Sequence, residues 1–237
     1  MGANAQTAVP VFTAGQVLTA QQQKEINTGI PVFATTVTRD AAFGGAGEKT
    51  LAEGQMAYIE ASNLTQYYDG SSWLSVSGLQ WIATASPSAA ATVTIDNCFS
   101  TAYKFYVVLF DLTGGVSEDL RFQFRYGSTT MAANYYGGFN TSYFNGATGS
   151  IANSNAAFLI LNQDSGTQIT GSFNISAVGV SAKALITGQS FSVQNAEASS
   201  GGGYVNSTQT YTGFILSNST GGSIFTGTVS VYGVVNS

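Results

Sequence analysis

The last two thirds of the chain alternate apolar and polar residues with a period of two. In residues 120–126, Leu, Phe, Phe and Tyr alternate with Arg, Gln and Arg, and residues 169–175 alternate in the same way. This pattern is typical of strands with one buried face. Gly-rich runs such as Gly201–Gly203 predict turns between them, and residues 88–237 contain no proline, as central strands require. We therefore predict an antiparallel β-sandwich, jelly-roll-like, over residues 79–237.

Residues 1–78 have a different pattern of short, mixed elements. Thr19 and Gln22 have the spacing of a capping box, which predicts that a helix over residues 16–29 includes this pair. Thr38 is expected to cap one helical turn that ends at Phe43. Three strand-like runs follow, at residues 55–60, 66–68 and 72–76. The fold class is thus mainly β, with a small α+β module at residues 1–78 and a β-sandwich knob at residues 79–237.

The composition excludes several kinds of site. Of 237 residues only 8% are charged, there is no His, and Cys98 is the single cysteine. Ser-His and Cys-His pairs, His-metal sites, cysteine clusters and intrachain disulfides are therefore excluded. Glu118 and Asp119 are neighbours that a strand directs to opposite faces, so they do not form the carboxylate pair of a glycosidase. We expect no catalytic residue, no metal and no cofactor, and hence no enzyme.

Net charge and hydropathy limit the partners. The net charge is −5 and the pI is near 4.4, which argues against a nucleic-acid surface. No apolar run is long enough for membrane insertion. The first residues lack the basic and apolar regions of a signal peptide, so we expect synthesis in the cytoplasm of a host without export by that route.

Charge is unevenly distributed along the chain. Residues 126–237 contain only Asp164, Lys183 and Glu197 as charged groups. One interpretation is a β-domain whose solvent faces are rich in Ser and Thr. The other is a domain packed inside an assembly, where unpaired charge is costly to bury.

An aromatic segment is the richest recognition signal. Rings occur among Gly and Asn between Ala133 and Gly146, a composition typical of adaptable binding loops and sugar-facing surfaces. The candidate receptor or glycan contacts are Tyr135, Tyr136, Asn140, Tyr143 and Phe144. The alternative, which the pattern favours, is a hairpin whose rings pack in the core or between subunits.

The N-terminal third resembles the attachment module of tailed-bacteriophage fibre and minor structural proteins. The similar segments are residues 11–20 (VFTAGQVLTA), 27–34 (NTGIPVFA), 38–43 (TRDAAF), 51–55 (LAEGQ) and 66–73 (QYYDGSSW). More loosely, residues 102–105 and 227–233 resemble the β-sandwich tips that follow such modules. The resemblance implies a module that joins the virion and a distal domain that projects outward as a homotrimer. The anchoring candidates are Val11, Phe12, Val17 and Leu18.

These observations lead to one principal hypothesis about function. We expect a non-enzymatic virion protein, a short tail or baseplate fibre whose N-terminus binds other phage proteins and whose β-sandwich contacts a host surface glycan or protein. The alternative is a head fibre or capsid decoration protein on the capsid surface. A glycan depolymerase is the third hypothesis, which the lack of a catalytic constellation disfavours.

Overall fold

The computed structural model describes residues 9, 11–20, 22–23, 29–46, 48–76, 78–114, 118–143, 145–152, 156–163, 167–193, 197–218 and 225–234. Within these ranges the chain is mainly β, with several sheets whose strands are almost all antiparallel. The chain divides into two compact units, Met1–Gly78 and Leu79–Asn236.

The first unit contains a four-stranded sheet and a short helix. Its strands are β1 (Val32–Phe33), β2 (Met56–Ile59), β3 (Leu64–Tyr68) and β4 (Trp73–Ser75), and its helix is α1 (Thr36–Asp40). The strand order is β1-β2-β3-β4, with β1 parallel to β2 and the other pairs antiparallel. Phe33, Ala42, Ala57 and Ile59 form its small core.

Threonine capping begins α1 three residues earlier than the sequence predicts. Thr35, and not Thr38, is the N-cap: its hydroxyl accepts a hydrogen bond from the Thr38 backbone N–H at 3.2 Å. The Thr38 hydroxyl in turn accepts one from the Thr35 N–H at 3.0 Å, so Thr38 takes the part that Glu or Gln usually has in a capping box. Both threonines fit a cap by type, and the local hydrogen bonds select the first.

A second capping box lies further toward the N-terminus. Thr19 N–H donates to Gln22 Oε1 at 3.0 Å, and Gln22 N–H donates to Thr19 Oγ1 at 3.2 Å. The capping box predicted from the sequence is therefore present. The described helical residues begin at Ala20, so the predicted start at residue 16 is too early.

The second unit is built from two sheets. The larger sheet consists of β5 (Leu79–Ala85), β7 (Phe105–Thr113), β10 (Tyr135–Ser142), β11 (Thr148–Ala152), β13 (Gln168–Ser176), β14 (Ser181–Ser192), β15 (Glu197–Thr210) and β17 (Thr226–Val234). The smaller consists of β6 (Val93–Ile95), β8 (Glu118–Tyr126), β9 (Thr129–Thr130), β12 (Phe158–Gln163) and β16 (Gly213–Asn218). The larger sheet has the order β11-β10-β15-β14-β13-β7-β17-β5, and the smaller has the order β12-β8-β16-β6, with β9 paired to β8.

One aromatic core holds the two sheets together. The Phe122 ring on β8 lies 5.3 Å from that of Phe173 on β13 and is stacked on that of Phe214 on β16 at 5.1 Å. Tyr135 on β10 contacts Phe158 on β12 edge to face at 4.9 Å. Alternate side chains of the larger sheet thus enter the core, and the others form its outer face.

The sequence predicts a turn at Gly201–Gly203, and this prediction is wrong: the run lies in the middle of β15. A Cβ at Gly201 would lie 2.7 Å from the Phe139 Cα atom, and one at Gly203 would lie 2.7 Å from the Phe158 ring. The β10 backbone therefore passes too close for any side chain at these two positions. Here glycine reflects a close approach of neighbouring strands rather than a reversal of the chain.

Candidate functional site

The structure separates the two adjacent tyrosines of the aromatic segment. Tyr135 is only 3% exposed. Its phenol oxygen accepts a hydrogen bond from the Phe124 N–H at 2.9 Å and donates one to the Met131 carbonyl at 3.0 Å. Burial raises the pKa of the Tyr135 phenol well above its usual value. Tyr135 is therefore a core residue and not a surface contact, which corrects its place in the predicted contact set.

Tyr136 lies on the outer face of the same strand. It is 47% exposed and stacks on Tyr204 of β15, with ring centres 5.5 Å apart and planes inclined by 15°. The Lys183 ammonium lies 5.9 Å from the Tyr204 ring centre. Asn140 is exposed on β10, and Tyr143 is partly exposed just after its end. Phe144 is outside the described residues.

Neither Tyr204 nor Lys183 is in the contact set that the sequence predicts. The alternation along β14 puts Lys183 on an exposed position, but it carries no information about which strand lies beside it. The pairing of β10 with β15 and of β15 with β14 brings these side chains together.

The outer face of the larger sheet is mainly polar over β13, β14, β15 and β10, and this part is here called the polar half. One row across these strands is Ser172, Gln189, Ser200 and Asn140, and the next is Thr170, Phe191, Ala198 and Ser142. Lys183 is the single charged side chain at the described outward positions of these four strands. The polar half thus offers mainly hydroxyl and amide groups.

A depression in this polar half, here called the outer groove, has a volume of about 470 Å³. Its outward side chains are Ser142, Thr170, Ser172, Gln189, Phe191, Ala198 and Ser200. Small residues flank the taller side chains of β14: Ser172 and Ser200 lie on either side of Gln189, and Thr170 and Ala198 lie on either side of Phe191. Such a surface suits an extended ligand that lies across the strands.

The outer face of the larger sheet over β5, β17 and β7 has large exposed apolar side chains, and this part is here called the apolar half. Trp81, Tyr232 and Val107 form one row across these strands. Trp81 is 59% exposed, and Leu79, Phe105 and Leu109 are also exposed. The Trp81 indole N–H donates to Thr84 Oγ1 at 3.0 Å, and this hydroxyl lies 2.8 Å from Ser230 Oγ. The larger sheet thus presents two chemically different surfaces side by side.

The anchoring candidates lie in an extended segment of the first unit. Val11, Phe12 and Val17 are exposed, Val17 to 90%, and Leu18 is half-buried. The turn at this point is closed by the Thr13 N–H, which donates to Gln16 Oε1 at 3.1 Å. Apolar side chains are therefore accessible on both sides of one turn.

The single cysteine is buried, and burial changes the acid–base chemistry of its thiol. Burial raises the pKa of the Cys98 thiol to about 12, so the sulfur is protonated at neutral pH. The residues that the structure describes include no group of three or more Cys, Asp or Glu placed to hold a metal ion. In the same part of the chain, no helix is long and apolar enough to span a bilayer.

Comparison of the chain with protein-family models, with curated proteins and with solved structures gives no match.

Proposed function

We propose that the chain is a bacteriophage virion structural protein, a short tail or baseplate fibre that contacts the host surface. The observation that supports this most directly is the polar half of the outer face, where the stacked Tyr136 and Tyr204 lie beside rows of hydroxyl and amide groups. Aromatic faces and neutral hydrogen-bonding groups are the chemistry by which proteins hold glycans without a metal. Individually weak contacts would be multiplied by the valency of the particle.

The N-terminal segment is the proposed attachment to the particle. The exposed side chains of Val11, Phe12 and Val17 support this, because apolar groups in an extended segment gain free energy when a partner covers them. The resemblance of residues 11–20 to phage attachment modules agrees in location with this exposed turn.

We propose further that Leu79–Asn236 is a derivative of the jelly roll. A jelly roll has eight strands, B to I, in two sheets with the orders B-I-D-G and C-H-E-F. The smaller sheet, read as β6-β16-β8-β12, has the first order. The larger sheet has the second order if β7, β10 and β11 are strands C, E and F and the meander β13-β14-β15 replaces strand H. Strands β17 and β5 are then additions beside strand C. The strand order supports this relationship.

The proposed oligomer is a homotrimer that buries the apolar half. Trp81, Phe105 and Leu109 are large, exposed and uncharged, so copies of the same surface can meet without like-charge repulsion. Light scattering of the full chain at micromolar concentration should give the mass of three chains. Trp81→Glu should give a folded monomer, and a monomeric wild-type chain would contradict the assignment.

Two measurements test the function. Gold-labelled antibody against the purified chain should mark the tail or baseplate of the virus that encodes it, whereas label on the head would favour a head fibre or decoration protein. The full chain should also bind permissive cells saturably, and Tyr136→Ala should weaken that binding. Release of reducing ends from host polysaccharide would favour a depolymerase instead.

A further inference from the structure

We propose that the outer groove binds a neutral polysaccharide chain that runs across strands β13, β14, β15 and β10. The inference rests on the proposed function and names both its ligand class and the position of the contact. The described lining residues of the groove include none of the five candidate contacts that the sequence suggested.

The first argument is shape. The groove spans two neighbouring rows of side chains over four strands, which corresponds to a length of about 14 Å at the usual spacing of strands. Its volume of about 470 Å³ is within the range of ligand sites. Because the groove is open to solvent, it accommodates a segment of a longer chain and not only a small molecule.

The second argument is hydrogen-bonding chemistry. Gln189 offers two amide donors and an acceptor, and Ser172 and Ser200 beside it offer hydroxyls that both donate and accept. Sugar hydroxyls have the same dual capacity. In the neighbouring row, Thr170 already donates to the Phe110 carbonyl at 3.2 Å, so its oxygen retains capacity to accept.

The third argument is the apolar wall. Phe191 lies in the row next to Gln189, on the same strand and the same face, and it is 42% exposed. Ala198 beside it is too small to cover the ring. An exposed ring next to hydrogen-bonding groups contacts the apolar C–H face of a sugar while the hydroxyls at its edge are bound.

The fourth argument is charge, which selects a neutral ligand over an anionic one. None of the described residues that line the groove is Asp, Glu, Lys or Arg. The nearest charged neighbour along the row is Asp111 of β7, which pairs with Thr170 and accepts a hydrogen bond from Gln168 at 2.7 Å. A carboxylate at that end repels uronate, sialate and phosphate groups, and the groove supplies no cation to offset their desolvation.

The test uses the full chain and polysaccharide from cells to which it binds, separated by anion exchange into a neutral and an acidic pool. The wild-type chain is expected to bind the neutral pool at least tenfold more tightly. Gln189→Ala and Phe191→Ala should each weaken that binding by about tenfold, the loss expected for one hydrogen-bonding or stacking group. Thr187→Ala, on the same strand and face but outside the groove, is the matched control and should bind as the wild type does.

Other outcomes overturn the inference. Tighter binding to the acidic pool, or full binding by both groove variants, would show that the contact is elsewhere. Cell binding without binding to either pool would point to a protein receptor and leave the proposed function in place. A folded chain that binds neither cells nor either pool would refute the receptor-binding function itself. Gln189→Lys provides a second check, because the added cation should shift preference toward the acidic pool.

Discussion

The neighbouring residues Tyr135 and Tyr136 give the sharpest test of which face of β10 is buried. We consider the replacement of each by Phe, which removes only a hydroxyl. At Tyr135 this leaves the Phe124 N–H without its acceptor inside the core. The Met131 carbonyl loses the hydrogen bond from Tyr135 and keeps the one that Gln123 Nε2 donates at 3.3 Å. A buried polar group without its partner costs about 1–3 kcal/mol. One such N–H, together with the hydrogen bond lost at the Met131 carbonyl, gives a loss of about 2–3 kcal/mol.

The same change at Tyr136 should have almost no effect. The ring remains stacked on Tyr204, and its hydroxyl lies on an exposed face. Surface changes of this kind alter the free energy of unfolding by no more than about 0.5 kcal/mol. The two substitutions therefore remove the same hydroxyl group, but only the one at Tyr135 is expected to lower the free energy of unfolding.

Urea unfolding of the full chain is a suitable assay. Trp73 and Trp81 are the two tryptophans, one in each unit, so in a Trp73→Phe background fluorescence reports on Leu79–Asn236 alone. With a urea dependence of about 2–3 kcal/mol per M, Tyr135→Phe should lower the midpoint by about 1 M. Equal shifts for both variants, or an unchanged midpoint for Tyr135→Phe, would refute the assignment of faces.

Three further predictions concern pH, strand contact and capping. The pKa of Tyr135 is raised in the folded chain and is near 10 when the chain is unfolded. This group therefore does not change the free energy of unfolding below about pH 10, and above it lowers that free energy by up to about 1.4 kcal/mol per pH unit. In urea titrations from about pH 9 to 12, the free energy of unfolding of Tyr135→Phe should fall less steeply than that of the wild type, and an identical slope would contradict this. Gly203→Ala should destabilise the second unit by roughly 2 kcal/mol or more in the same assay, since its Cβ would meet the Phe158 ring, whereas Gly78→Ala has open space and should be neutral. Thr35→Ala should lower the stability of the first unit by about 1 kcal/mol in thermal unfolding, and Thr35→Ser, which keeps the hydroxyl, should not; equal losses would exclude the capping explanation.

Local patterns in the sequence determined the strand content and, for many strands, the buried face. Phe122 and Phe124 alternate with polar residues and are fully buried, and Phe173 and Ile175 follow the same rule. This succeeds because successive side chains of a strand point to opposite faces, whatever the strand pairs with. The absence of His, likewise, excludes whole classes of catalytic site whatever fold the chain adopts, because no folding can supply a missing side chain.

Pairing between strands distant in sequence was decided only by the tertiary structure. In the run Tyr135-Tyr136-Gly137-Gly138, each of the two alternating faces of the strand has one Tyr followed by one Gly. Alternation therefore does not tell which ring is buried. Packing against Phe158 buries the first ring, and the pairing of β10 with β15 stacks the second on Tyr204.

The outer groove illustrates the same limit. Its side chains come from four strands. The sequence of each strand alone is typical of an ordinary strand with one polar face and does not indicate a binding site. The register of β13, β14, β15 and β10 aligns Ser172, Gln189, Ser200 and Asn140 in one row. A sequence specifies which face of a strand is polar, but the neighbours on that face follow from long-range pairing, which the global packing of the two sheets selects.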